Sequence, residues 1–176
     1  KLKLRIPGWL RKGSVKLNGK LLAQLDKSNA GTYYAVDIDK ISGAQVELDM
    51  DMSPRLTIAH TKVEEDLNQV AVERGPLVYC VESADTDAKD LGRIMLPVDA
   101  KFSESFISIK GHDILALETQ GLSFEDSTWY DKDALYQTLE DVQLKKVNFR
   151  MIPYFAWDNR GMGEMIIWLP VFWGKA

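Results

Sequence analysis

Apolar and polar residues alternate with a period of two along most of this chain. Leu2, Leu4 and Ile6 alternate with Lys1, Lys3 and Arg5, and Val15 and Leu17 flank Lys16 just before Asn18-Gly19. Such alternation gives a strand one buried and one solvated face, and Asn-Gly is the strongest short hairpin signal. The pattern continues through YYAVDID (33–39), QVELDMDM (45–52), LTIAHT (56–61), QVAVERGPLVYCVES (69–83), RIMLP (93–97) and FISIK (106–110). It resumes in ILALETQGLSF (114–124), VQLKKVNFRMIPYFAW (142–157) and GEMIIWLPVFW (163–173). About a dozen strands with turn signals every 8–12 residues predict sandwiches or barrels. Helix evidence is thin. Residues 61–70 and 130–142 have room for a turn or two, without a sustained 3.6-residue stripe.

A polar stretch at 62–69 separates two strand-rich blocks, which predicts two domains, 1–68 and 69–176. Within ERGPLVYC (73–80), Pro76 cannot donate to a ladder and Gly75 supplies flexibility, so the stretch reads as one strand kinked at an edge or bulge. Glu73 and Arg74 then point to opposite faces and do not pair with each other. Cys80 lies deep in the apolar run with no local base, and it reads as a buried, inert thiol. The chain opens as KLKLRIPGW, already in strand alternation, which points to a segment of a longer protein.

Charge narrows the classes. The net charge of −4 offers no basic footprint for nucleic acid, and no apolar run reaches the ~18 residues of a membrane helix. Neither nucleic acid nor membrane is an expected partner. A single cysteine excludes an internal disulfide and any Cys-based zinc cluster. His60 and His112 are the only histidines, and they lack metal-ligand spacing. Asp85, Asp87 and Asp90 share one loop but miss the spacing and closing Glu of a calcium turn. They read as a solvated acidic loop, with weak calcium binding as the alternative. Glu47, Asp49 and Asp51 alternate along one strand face, whereas glycosidase carboxylates must converge on one bond.

Five tryptophans are many for this length. Their flat faces can stack on sugars or fill a core. Trp168 alternates inward with Ile166 and reads as core. Trp157, just before Asp158-Asn159-Arg160-Gly161, stands at a strand end beside polar donors. Trp157, Asn159 and Arg160 are therefore the candidate ligand-facing cluster, set against a purely structural turn.

Three stretches in this order, LRIPGW (4–9), VAVERGPLVYCVE (70–82) and IPYFAWDNRGMGEMIIWLP (152–170), resemble the C-terminal part of glycoside hydrolase family 127. These are the bacterial β-L-arabinofuranosidase-like proteins. The resemblance implies two small antiparallel β-sandwich (jelly-roll-like) domains, with the last strand able to return to the first so that they interleave. It also implies a parent enzyme whose N-terminal (α/α)6 barrel holds a zinc-bound cysteine nucleophile and a Glu acid/base. None of those positions lies in this chain, so the resemblance implies no catalytic residue, no metal and no cofactor here. Zinc is expected in the parent's catalytic domain. The expected role is accessory and non-catalytic: to support that barrel. The alternatives are an independent carbohydrate-binding module and a structural or dimerisation module. The partners implied are the protein's own barrel, carbohydrate and a second copy. Scavenging of plant glycans would suggest a periplasmic or extracellular parent. In this motif Asn159, Gly161 and Gly163 suit positive-φ positions, and Arg160 either braces the turn or reaches the barrel.

Overall fold

The computed structural model describes residues 1–37, 43–88, 90–124 and 134–174. Asp39, Trp129 and the start of the 130–142 helix candidate lie outside these residues. The chain is all-β and divides into two units, Lys1–Ser53 and Pro54–Ala176.

The first unit contains β1 (Leu2–Arg5), β2 (Lys12–Leu17), β3 (Lys20–Asp26), β4 (Tyr33–Val36) and β5 (Val46–Met50). β1 pairs with β4, while β3, β2 and β5 form a three-stranded sheet with β2 at its centre. Asn18 and Gly19 both adopt positive φ, 50° and 76°, and so supply the turn of the β2–β3 hairpin. Alternate residues from both sheets meet in one core of Ile6, Leu10, Val15, Leu25 and Val36, with Trp9 packed against it. This is the pattern a small sandwich requires.

The second unit begins at β6 (Pro54–Thr57), which pairs with β7 (Gln69–Arg74). That pairing places the division after Ser53, and the boundary expected at 68/69 falls inside the second unit. The polar stretch at 62–69 is the β6–β7 connection, with a short 3-10 turn at Glu64–Asp66. β8 (Leu77–Glu82) follows, then β9 (Leu96–Pro97), β10 (Ser103–Ile109), β11 (His112–Phe124), β12 (Leu144–Pro153), β13 (Met165–Ile166) and β14 (Leu169–Phe172). The strand order is β10-β11-β12-β8-β7-β14-β9, with β13 paired to β8. β14 hydrogen-bonds to β7 and β9, within the second unit. Reciprocal bonds between Met95 and Leu122, of 2.8 and 2.9 Å, curl the sheet back onto β11.

The curled sheet wraps a core of Val70, Val72, Tyr79, Val81, Leu117, Phe149, Met151 and Leu169, among others. A second cluster, of Cys80, Ile109, Ala116, Ile152 and Ala156, uses the intervening positions on β8, β11 and β12. Both faces of these strands are therefore apolar, which explains their nearly continuous hydrophobic runs. Trp168, expected in the core, is half-buried and belongs to neither cluster.

ERGPLVYC is two strands rather than one kinked strand. Gly75 adopts φ 59° and Arg74 lies opposite Leu77, so Gly75-Pro76 forms a two-residue hairpin turn. Gly at the first central position is what a type II′ turn demands, and proline's fixed φ suits the second. Glu73 and Arg74 do diverge. Glu73 accepts from Arg55 at 2.6 Å, and Arg74 donates to Glu104 at 2.8 Å.

Candidate functional site

β8 ends in Glu82 and runs into a 3-10 turn, Ser83–Asp85; β12 ends in Pro153 and runs into another, Tyr154–Ala156. The two chain exits lie side by side because β8 and β12 pair at Ile152–Cys80 and Pro153–Tyr79. Ser83 and Glu164 clasp them further: Ser83 N donates to the Glu164 carbonyl and Glu164 N to Ser83 Oγ, both at 3.0 Å.

Arg160 sits within this clasp. Its Nε donates to Glu82 at 2.9 Å and its Nη1 to Asp85 at 2.8 Å, while Nη2 reaches both carboxylates. Glu82 and Asp85 are only 6% and 8% exposed. Glu82 also accepts from the Asp158 backbone N–H at 3.0 Å. One planar guanidinium thus bridges two buried carboxylates, a geometry its rigid fork permits and an ammonium does not. Hydrogen bonding to Asp85, aided by Glu82, raises the already high pKa of Arg160 against the opposing effect of burial. Arg160 braces the turn.

The other two candidates divide. Asn159 donates its side-chain amide to the carbonyls of Ala156 and Trp157, at 3.1 and 2.9 Å, and shapes the turn. Positive φ falls on Asp158 (61°) and Gly161 (122°), not on Asn159 or Gly163. Trp157 is 39% exposed and stacks on Tyr154 with centroids 5.9 Å apart and planes 17° from parallel. With Phe155, which is 65% exposed, they make an aromatic ridge at the surface.

Asp85 also belongs to a second feature, an open cleft of about 570 Å³. Lys101 and Ser103, Glu118 on β11, Asn148 and Arg150 on β12, and Asp87 line it. Arg150 donates to Glu118 at 3.2 Å and approaches Asp85 at 3.9 Å. Hydrogen bonds from Ser105 first, then from Arg150, hold the Glu118 carboxyl below its ordinary range.

These contacts dispose of other candidates. Asp85 is held by Arg160, and Asp90 accepts from Gly92 N and pairs with Arg93, so the three loop aspartates do not converge as calcium ligands. Among the described residues no three His, Cys, Asp or Glu side chains come together to hold a metal, so those residues form no zinc site. Cys80 is fully buried, and desolvation, helped by Glu82 and Asp85, pushes its thiol up to about 12. A thiol with so high a pKa is protonated at neutral pH and a poor nucleophile. In the folded chain at pH 8, Cys80 is expected to resist a disulfide reagent such as DTNB and to react fully once denatured. Rapid labelling of the native chain would show that the strand pair opens around it.

Sequence reasoning missed Glu82 and the cleft, and it placed Asp85 in a solvated loop whereas the residue is buried. A signal for Glu82 was present. It shares strand parity with Cys80, so the face that buries the thiol also buries a carboxylate, which then requires a cation.

Two family models match the chain: the glycoside hydrolase family 127 C-terminal domain over residues 54–170, and the β-L-arabinofuranosidase GH127 middle domain over residues 1–52. The non-reducing end β-L-arabinofuranosidase of Bifidobacterium longum subsp. longum is 32% identical over 166 residues, covering 92% of this chain and 24% of that protein. A solved structure described as a glycoside hydrolase is 41% identical, with a TM-score of 0.84, covering 97% of this chain and 27% of its own. A solved GH127 β-L-arabinofuranosidase from Geobacillus stearothermophilus T6 is 35% identical, with a TM-score of 0.82, covering 97% and 26%. The chain thus spans about a quarter of the length of the relatives it matches.

Proposed function

This chain belongs to glycoside hydrolase family 127, and on that premise we propose that it is the accessory, non-catalytic β-region of a β-L-arabinofuranosidase-like enzyme, supporting a catalytic barrel. The carrying observation is the state of its buried chemistry. The single thiol is protonated in a core, and the two buried carboxylates, Glu82 and Asp85, are both spent on Arg160. A general acid/base or nucleophile must instead face a substrate with a matched pKa. A brace of this kind fixes a turn, which is what a supporting domain needs at a contact surface. Zinc belongs, in this reading, to the barrel.

Trp157 retains a part as a ligand-facing residue. Stacked on Tyr154, it offers a flat apolar face of the kind sugars stack on, while Asn159 and Arg160 hold the turn that presents it.

The chain incubated with a β-L-arabinofuranoside is expected to release no arabinose; release would overturn the reading. Excising the aligned segment from the Bifidobacterium longum relative is expected to yield an enzyme that is insoluble or has lost most of its kcat/KM. A truncated enzyme with full activity and unchanged Tm would remove the supporting role.

A further inference from the structure

We propose that the cleft bounded by Asp87, Lys101, Glu118 and Asn148 is a binding site for a neutral oligosaccharide segment. Its volume of about 570 Å³ lies within the range of about 300–1,000 Å³ usual for small-molecule sites, and its open form admits a chain rather than an enclosed molecule. The floor is preset. Thr119 is 9% exposed and donates to the Lys101 carbonyl at 2.8 Å, Glu118 is held by Ser105 and Arg150, and Asp85 by Arg160. Glu118, Thr119, Asn148 and Arg150 lie on β11 and β12, and side chains on strands hold a ligand geometry better than loop side chains such as Asp87 and Lys101 do.

The chemistry of the walls selects the ligand. Three carboxylates, of Asp85, Asp87 and Glu118, face two cations, Lys101 and Arg150, so the cleft carries no field suited to a polyanion. Its walls are polar, which disfavours an apolar guest, and no metal-binding group forms among the described residues. Among those residues the Lys101 ammonium and the Asp87 carboxylate make no hydrogen bond or ion pair. The Asn148 side chain accepts from Gln120 at 3.0 Å, which leaves its N–H groups to donate. Donors and an acceptor lining one cleft match hydroxyl groups, each of which both donates and accepts. A sugar chain presents such hydroxyls at every ring. The aromatic that lines the cleft, Phe149, is 3% exposed, so affinity rests on hydrogen bonds and is modest.

The test is a two-dimensional ¹H–¹⁵N NMR titration of the 176-residue chain with an L-arabinofuranosyl trisaccharide and, in parallel, with L-arabinose. Saturable shifts centred on Asp87, Lys101, Asn148 and Arg150 are expected, with tighter binding of the trisaccharide. Asp87→Ala and Asn148→Ala, both at exposed positions, should each weaken binding about threefold to tenfold, the worth of one hydrogen bond, while the rest of the spectrum is unchanged. The proposal is overturned by no saturable shift, by shifts centred instead on Tyr154 and Trp157, or by equal affinity for the monosaccharide. The titration reads binding alone, so its failure leaves the supporting role untouched.

Discussion

Arg160→Ala is expected to destabilise the second unit by about 3–5 kcal/mol, because it removes the cation that hydrogen-bonds both buried carboxylates and leaves only Arg150, 3.9 Å from Asp85. For a unit of this size the loss corresponds to a Tm roughly 10–20 °C lower. With Arg160 in place the side chains of Glu82 and Asp85 are 8% and 0% exposed, so both depend on the guanidinium for their charged hydrogen bonds. Arg160→Lys should recover only part of the loss, since an ammonium keeps the charge but not the fork that reaches both carboxylates. The triple change Glu82→Gln, Asp85→Asn, Arg160→Met should restore more than Arg160→Lys does, because removing every charge removes the desolvation problem as well. Urea denaturation of the four proteins decides the matter. A loss below ~1 kcal/mol for Arg160→Ala would mean that the carboxylates find another partner, and the brace would be discarded.

The second large effect is expected in the first unit. A Cβ on Gly13 would stand 2.4 Å from the Asp49 carbonyl oxygen across the β2–β5 ladder, and 3.4 Å from Leu10 Cδ1. Backbone lies on the near side of the clash, so no side chain can rotate away, and relief requires β2 and β5 to separate. Overpacking costs about 1–3 kcal/mol where neighbours can adjust, and more where they cannot. A unit of this size has little stability to spare. Gly13→Ala should therefore collapse the dispersed amide signals of residues 1–37 towards random-coil positions. Gly8 has ordinary φ and nothing within 4 Å of its Cβ position, so Gly8→Ala should change stability by less than ~0.5 kcal/mol. A well-dispersed spectrum for Gly13→Ala would show that the ladder can widen without melting.

Much of this architecture was legible in the residues. Alternation located the strands because each has at least one face against a core, and Asn18-Gly19 announced its hairpin through the positive φ both residues adopt. The Gly75-Pro76 turn was misjudged because proline's inability to donate fits a bulge and a tight turn equally well; only the pairing of Arg74 with Leu77 separates them. The division after Ser53 was hidden for a similar reason. A polar linker resembles a domain boundary unless the partner of β6 is known, and that partner lies beyond the linker.

The site was legible by half. Arg160 and Asn159 stood out as polar residues in a glycine-rich turn, and the turn is where they act. Their partners did not stand out, since Glu82 and Asp85 lie 78 and 75 residues away in sequence. The cleft is harder still. Lys101, Glu118 and Asn148 come from a loop and two strands; the register of β11 against β12 brings Glu118 and Asn148 to one face, and the Thr119 hydroxyl holds the Lys101 carbonyl beside them.

The position of β14 bears on how the chain is made. This strand lies between β7 and β9, antiparallel to one and parallel to the other. A ribosome delivers β7 and β9 long before it delivers Leu169, so until that residue emerges the sheet cannot close over its core. β14 is the keystone, and the strands made before it must wait for it with open edges.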